Sequence, residues 1–357
     1  MNLKNKQLNW QKYLTREYNF LYASYAIDSY KVMKKKVGTT ITYDISWGEG
    51  KLLSLYGIQA DIQNSYNMIE KIAARNPYEI IKKMNKYDEL IDRNYELFKL
   101  IKNTKEKNTI KKLLKELDKT FLNTLCYYLF FVYLGYAGES PHIKSFLRKH
   151  GNRFHKIRLY TIDVEMNKQF PKLFGLYNKK LTALAPFMWR GELIKSIEGK
   201  RVDLEKIKNR KKKYLVITKA GKTKEYLLSE IDKVLDKELT LLKVSQTNQV
   251  KGSVACQGKA KGSAVLVFSS KDYKKIKQGD ILITPMTKPE ITPYLKRVLG
   301  IVTNDGGALS HASIISREMD LPCIVGTKIA TDIFKDGDLI ELNAYEGVAR
   351  KLTEKLV

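Results

Sequence analysis

The hydrophobic positions of residues 3–187 recur mostly with the period of an α-helix. One apolar stripe sits at i, i+3, i+4, i+7, i+11 and i+15, and its members are Ile110, Leu113, Leu114, Leu117, Phe121 and Leu125. Residues 38–57 interrupt the pattern with threonines and glycines, which are typical of a loop or a short hairpin. We therefore expect a mostly α-helical region over residues 1–189.

The pattern of hydrophobic and polar residues changes near residue 190. Residues 192–197 and 202–210 are predicted as short helices, and 214–218 with 225–228 as a hairpin across Ala220-Gly221. This makes 190–244 a small α/β connecting segment. The polar, aperiodic residues 245–250 are the predicted linker.

From residue 251 to 357 the period shortens to that of strands, and strands then alternate with helices. This alternation predicts a compact α/β unit. The whole chain is thus expected to be an α+β multidomain protein, helical first and sheet-based at the C-terminus.

The chain has 357 residues with 65 Lys+Arg and 38 Asp+Glu, a formal net charge of +27. Residues 251–357 contain 16 basic and 12 acidic residues, a net +4, so residues 1–250 hold the remaining +23. The lysine runs at 34–36 and 211–213 are typical of solvated helix faces or ends, and no known nucleic-acid motif accompanies them. Net charge is therefore the only feature of the sequence that favours nucleic-acid binding.

Other classes of protein are disfavoured by particular segments. The three cysteines, Cys126, Cys256 and Cys323, form no CxxC pair, so the sequence encodes neither a disulfide framework nor a zinc site. Residues 1–16 are polar and lack the apolar core of a signal peptide. The apolar run 121–134 is shorter than the ~20 residues that a spanning helix needs and is interpreted as a buried helix. We expect a cytoplasmic protein without a membrane segment.

The sharpest chemical signal is the segment 303–318, TNDGGALSHASIISRE. A predicted strand ends at Thr303, Gly306 and Gly307 allow a backbone or a phosphate to approach closely, and Ser310 is a natural N-cap for a helix that begins at His311. The free N–H groups of such a helix start favour anions. A neutral imidazole there is a nucleophile beside a phosphate pocket, which points to a phosphohistidine. The local pattern also fits a histidine that merely caps or packs, and the four histidines are too scattered for a metal site.

The segment resembles the mobile phosphohistidine domain of the phosphoenolpyruvate (PEP)-utilising enzymes, which include phosphoenolpyruvate synthase, pyruvate phosphate dikinase and rifampin phosphotransferase. The pattern TxxGGxxSHAxIxxRExxxPxxVGT is matched by TNDGGALSHASIISREMDLPCIVGT, and GDILITPMTKPEITP and KDGDLIELNAYEGVARKL are similar to the flanking family segments. A weaker likeness covers residues 190–240, where GELIKSIEGKRVDLEKIKNRKKKYLV is similar to the segment that precedes the histidine domain.

The resemblance implies a swivelling β/β/α domain over residues 251–357, with His311 phosphorylated. It implies that Thr292 bonds the active imidazole through its hydroxyl and that Gly306, Gly307, Ser310 and Thr303 shape the phosphate pocket. Thr292 has an alternative role as a turn residue beside Pro293.

The family's ATP-grasp half has no counterpart in this sequence. We therefore expect a phosphotransferase component that carries a phosphoryl group between a nucleotide or PEP site on a separate subunit and an acceptor. No cofactor is expected on this chain, and ATP and Mg are expected on a separately encoded, pyruvate-phosphate-dikinase-type ATP-grasp subunit. We also expect a small molecule as the acceptor of the phosphoryl group. The alternative is a non-catalytic binding or assembly module that keeps the fold.

Overall fold

The computed structural model describes residues 8, 10–16, 18–49, 52–138, 140–159, 168–239, 247–307 and 310–352. Helices and strands are both abundant, as expected for a mixed α+β protein. The chain divides into two compact units. Unit 1 comprises residues 1–9, 18–53 and 57–237, and unit 2 comprises residues 10–17, 54–56 and 238–357.

Nine helices of unit 1 lie within the described residues. They are α1 (Phe20–Val37), α2 (Gln59–Arg75), α3 (Tyr78–Asn103), α4 (Lys107–Tyr136), α5 (Pro141–Leu159), α6 (Phe170–Tyr177), α7 (Arg190–Ile197), α8 (Leu204–Lys212) and α9 (Glu230–Glu238), of which the last ends at the unit boundary. Short 3₁₀ turns cover Lys179–Leu181 and Ala185–Phe187.

The predicted apolar stripe forms the buried face of α4. Leu114, Leu117 and Phe121 are fully buried there, and α4 packs against α1 and α3. The apolar run 121–134 continues the same helix. Among the described residues, no helix is long and apolar enough to cross a membrane.

Strands of unit 1 form an antiparallel ladder in which β2 (Asp44–Glu49) and β5 (Lys222–Leu227) flank β4 (Lys213–Lys219). The β4–β5 turn is Ala220-Gly221, with φ of 49° and 77°. Positive φ at both central residues is the geometry of a tight hairpin turn that follows strand twist. The loop or hairpin expected at 38–57 contains β2 and most of β3 (Leu52–Ile58).

Two features of this region differ from expectation. Residues Trp10–Arg16, expected to be helical, form the strand β1. The boundary expected between 189 and 190 does not separate compact units, since unit 1 continues to residue 237. The physical reason is pairing across it: β4 pairs with β2, and the Arg190 guanidinium donates to Asp118 of α4 through two bonds of 2.7 Å.

Unit 2 contains an eight-stranded mixed sheet. Its order is β6-β13-β12-β8-β9-β10-β11-β7, and its strands are β6 (Gln249–Lys251), β7 (Ser253–Cys256), β8 (Lys259–Leu266), β9 (Asp280–Thr284), β10 (Val298–Thr303), β11 (Cys323–Val325), β12 (Leu339–Asn343) and β13 (Val348–Lys351). The four central strands β8 to β11 are parallel, and the flanking pairings are antiparallel. Helices α10 (His311–Glu318) and α11 (Ala330–Ile333) follow β10 and β11, and 3₁₀ segments cover Ser270–Lys275 and Pro289–Arg297.

The central strands of unit 2 are buried on both faces. Ile281 and Ile283 of β9 join one apolar cluster, whereas Leu282 between them joins the cluster on the other face. This alternation is the two-residue repeat of a strand, and burial on both faces is typical of parallel strands. The sheet is therefore a rigid support for the loops that follow the carboxyl ends of its parallel strands.

The two ends of the sheet order are close in sequence. Only Gly252 separates β6 from β7, although these strands stand at opposite ends of the order. The Gly252 N–H donates to Gly347 O at 2.9 Å, and a Cβ on Gly252 would lie 2.5 Å from Val325 O. Glycine is thus required where the backbone turns from one end of the sheet to the other.

The predicted linker 245–250 is shorter at its C-terminal end than expected. Its residues 245–246 lie outside the described residues, and Gln249 and Val250 already belong to β6. The reason is their pairing with Arg350 and Ala349 of β13, which the polar local sequence does not indicate.

Candidate functional site

The predicted strand-to-helix segment lies at the carboxyl ends of two parallel strands. β9 and β10 are adjacent and in register, with Thr284 opposite Thr303 at their ends. The loops that follow both strands therefore begin side by side, and in parallel α/β sheets this edge is where ligands bind. His311, which opens α10 after the β10 loop, belongs to this edge.

Hydrogen bonds join the two loops. The Asn304 N–H donates to Thr284 O at 3.1 Å, and the Asp305 N–H donates to Pro285 O at 2.9 Å. The Asn304 side chain is also buried, donating to Thr331 Oγ1 at 2.6 Å and accepting from the Thr331 N–H at 3.0 Å. The loop before His311 is thereby fixed to β9 on one side and to α11 on the other.

The imidazole of His311 is held through one of its nitrogens. Thr287 Oγ1 lies 2.8 Å from His311 Nδ1, and the Thr287 side chain is almost fully buried. Within the described residues, no hydrogen bond to Nε2 is present. The ring is half-buried, so Nε2 is the nitrogen left for chemistry.

The residue that contacts the imidazole ring is Thr287 and not the expected Thr292. Thr292 lies in the 3₁₀ segment Pro289–Arg297, and the hydroxyl that reaches His311 belongs to Thr287 in the loop directly after β9. The reason is register: Thr287 lies three residues past the end of β9, next to the β10 loop, whereas the 3₁₀ segment has already turned away toward the start of β10.

Ser310 caps α10 as expected. Its backbone is extended (φ −72°, ψ 156°), and its Oγ accepts from the Ser313 N–H at 3.3 Å. Ser313, which the sequence did not single out, is fully buried and donates from Oγ to Gly307 O at 2.7 Å. This bond ties the second glycine to the first turn of the helix.

The two glycines differ in their surroundings. Gly306 has φ +119°, and a Cβ there would lie 2.9 Å from Ser310 Oγ, whereas a Cβ on Gly307 would meet none of the described residues within 4 Å. Both residues are exposed. Gly306 is thus required by the backbone, whereas a side chain at Gly307 would not collide with the described residues.

Thr303 lies beneath the site. It is fully buried and donates to Asp305 O at 2.5 Å, while its carbonyl accepts from Thr327 Oγ1 at 2.9 Å. Thr303 therefore stabilises the backbone of the loop and lies beneath it.

Burial lowers the pKa of His311 below its ordinary value, and the carboxylates of Glu290 and Glu318 oppose that shift. Desolvation is the largest cause of the shift. The ring is therefore neutral near pH 7, with a lone pair on one nitrogen. Among the described residues, no cluster of three or more His, Cys, Asp or Glu side chains is placed to hold a metal ion.

The fold and the site define a mixed α/β domain that presents one histidine, held through Nδ1, at the carboxyl edge of its parallel strands. Comparison with known proteins shows a family model that matches this domain. Residues 276–347 match the model of the "PEP-utilising enzyme, mobile domain". These residues are thus similar to the mobile domain of the PEP-utilising enzymes.

Curated relatives agree. The chain is 37% identical over 162 residues to "Probable phosphoenolpyruvate synthase" of Archaeoglobus fulgidus, covering 44% of this chain and 20% of that protein. It is 41% identical over 111 residues to "Phosphoenolpyruvate synthase" of Pyrococcus furiosus, covering 30% of this chain and 14% of that protein. The matched regions thus span a fifth or less of these two relatives.

Proposed function

We propose that this protein is a phosphotransferase component that carries a phosphoryl group on His311 Nε2. The contact between Thr287 Oγ1 and His311 Nδ1, 2.8 Å long, carries the proposal. When Nδ1 holds the proton and donates it to Thr287, the Nε2 lone pair is free to attack phosphorus. The match to the PEP-utilising mobile domain supports this assignment.

The proposed step is a displacement at phosphorus. The Nε2 lone pair forms an N–P bond, and the P–O bond to the leaving group breaks with its electron pair staying on the leaving oxygen. Nδ1 keeps its proton throughout, and Thr287 Oγ1 accepts that hydrogen bond as the ring becomes cationic. In the onward step an acceptor hydroxyl oxygen forms the new P–O bond, the N–P bond breaks with its electron pair returning to Nε2, and the hydroxyl proton is released to solvent.

The surroundings of His311 suit a phosphoryl group. The first backbone N–H groups of an α-helix have no intrahelical acceptor and carry partial positive charge. A Cβ on Gly307 would meet none of the described residues within 4 Å, and Ser310 caps the first turn of the helix. In this proposal Gly306, Gly307 and Ser310 shape the phosphate pocket, and Thr303 supports it from below.

We further propose that donor and acceptor sites lie outside this chain. The donor would be a nucleotide site, with ATP and Mg, on a separately encoded ATP-grasp subunit of the pyruvate-phosphate-dikinase type, and the acceptor a small molecule. Travel between two sites requires the domain to swivel on a tether, for which residues 245–248 are the proposed segment. The match of residues 276–347 to a mobile domain supports a carrier that moves between sites.

The test is phosphorylation of the full chain. With phosphoramidate, a small phosphoryl donor that needs no partner protein, we expect label that is acid-labile and base-stable and that maps to His311. His311→Ala should lose it. The matched control is His155→Ala, because His155 is an exposed histidine on α5. Equal labelling of His311→Ala would refute the carrier role, and an unlabelled native chain would favour a non-catalytic module.

A further inference from the structure

Two cysteines that lie far apart in sequence are direct neighbours in the sheet. Cys256 at the end of β7 is the register partner of Cys323 at the start of β11 in an antiparallel pair whose register shifts between Cys323 and Ile324. Directly opposed residues in such a pair have Cα atoms about 4.5–5.5 Å apart. That separation falls within the range of about 4.4–6.8 Å that a disulfide requires.

The two side chains also share a face. Opposed residues of an antiparallel pair project to the same side of the sheet, and both cysteines contact the apolar cluster that underlies α10. Cys323 is fully buried, with its Sγ 4.0 Å from Ala312 O in the first turn of that helix. Cys256 is partly exposed, with its Sγ 4.0 Å from Asp320 Oδ1.

We propose that Cys256 and Cys323 are a redox-active thiol pair that a peroxide converts to an intradomain disulfide. Both thiols are free in the structure. Cys256 is accessible to a small oxidant at the end of the sheet, and Cys323 is the buried resolving thiol next to it. The bond would tie β7 to the strand beneath the helix that begins with His311.

The two thiols are oxidised by the peroxide in two steps. The Cys256 thiolate attacks one peroxide oxygen, forming a sulfenic acid and releasing the other oxygen as water after protonation. The Cys323 thiolate then attacks the Cys256 sulfur, the S–O bond breaks, and its oxygen leaves as a second water. The two sulfurs are oxidised, the peroxide is reduced, and a thiol such as glutathione reverses the reaction by exchange.

The environment sets the speed of this reaction. Burial raises the pKa of both thiols, that of Cys323 to about 12, and Asp320 adds to the shift at Cys256. The thiolate is the reactive form, so its concentration rises about tenfold per pH unit below the pKa. We therefore expect slow oxidation near neutral pH and a steep acceleration on the alkaline side.

The test uses the full chain, reduced and then treated with hydrogen peroxide. Remaining thiols are blocked with N-ethylmaleimide in denaturant before mass spectrometry of the whole protein and its peptides. We expect one maleimide per chain, on Cys126, where the reduced chain carries three, and one disulfide-linked peptide pair containing Cys256 and Cys323, both reversed by dithiothreitol. Cys126→Ala should keep the linked pair, and Cys256→Ala, a change at a partly exposed position, should lose it.

Several results would overturn the proposal. One is a sulfinic acid or a mixed disulfide on Cys256 while Cys323 is recovered with its maleimide label. Another is a linkage through Cys126 or between two chains. A linked pair whose rate of formation is the same at pH 7 and pH 9 would also contradict the thiolate step.

Discussion

Replacing Thr287 with valine removes the hydroxyl that faces His311 Nδ1 and keeps the shape of the side chain. Thr287 is almost fully buried, and its only hydrogen bond in the described structure is the one of 2.8 Å to the ring. The substitution therefore tests whether this contact decides which nitrogen of His311 is nucleophilic. In the variant, a proton on Nδ1 has lost its acceptor, and moving that proton to Nε2 blocks the reactive lone pair.

The size of the effect follows from the hydrogen bond. A net hydrogen bond contributes about 0.5–1.5 kcal/mol, and a buried donor left unsatisfied costs about 1–3 kcal/mol. A loss of about 1–2 kcal/mol corresponds to about a 5- to 30-fold slower phosphorylation, since each 1.36 kcal/mol is about tenfold in rate. Thr287→Ser keeps the hydroxyl and should stay within about threefold of the native rate, because the hydrogen bond can still form.

Two measurements check this reasoning. Nitrogen NMR of the histidine rings reports which nitrogen carries the proton, and we expect His311 to shift toward the Nε2–H tautomer in Thr287→Val. The rate of labelling by phosphoramidate reports reactivity. Thr292→Ala is the matched control and should leave both unchanged. A Thr287→Val protein with its proton still on Nδ1 and a native labelling rate would refute the proposed role of Thr287.

Three further predictions concern the loop, the cap and pH. Gly306→Ala should destabilise unit 2 by about 1–3 kcal/mol in chemical unfolding, because φ is +119° and the new Cβ would crowd Ser310. Gly307→Ala is the control and should have little effect on stability. Equal effects of the two substitutions would contradict this prediction. Ser310→Ala should lower the free energy of unfolding by about 1 kcal/mol through loss of the cap, with Ser270→Ala, outside α10, as control. An NMR titration should give His311 a pKa below about 6.5. Because the unfolded chain then binds the proton more readily, stability should be full above about pH 6.5 and fall as pH drops through the lowered pKa; an elevated pKa would reverse that sign.

The residues from Thr303 to Glu318 could be interpreted from sequence because their signals are local. A buried strand, two glycines, a capping serine and an amphipathic helix follow one another without interruption, and the structure shows a strand, a positive φ at Gly306, a cap at Ser310 and a helix from His311. The partner of the histidine was not local. It lies 24 residues upstream, in the loop after β9, and the hydrogen bond in the structure identifies Thr287 where the sequence suggested Thr292.

Long-range pairing also explains the other differences from expectation. Residues 10–16 include an aromatic and a β-branched side chain that suit a strand, but the polar positions between them resemble the surrounding helices, and strand propensity depends on context. The neighbouring positions of Cys256 and Cys323 arise from the order of β7 and β11 in the sheet. No spacing along the chain indicates such an order.

The position of Gly252 between the two outermost strands has a consequence for association with other chains. An exposed strand at the edge of a sheet offers unpaired N–H and C=O groups to which another chain can add. Here the two outermost strands, β6 and β7, are 3 and 4 residues long and belong to one continuous stretch of backbone bent at a glycine. Such short, bent edges are poor templates for a foreign strand. The hydrophobic parallel strands at the centre of this domain are thus kept from acting as a nucleus for aggregation.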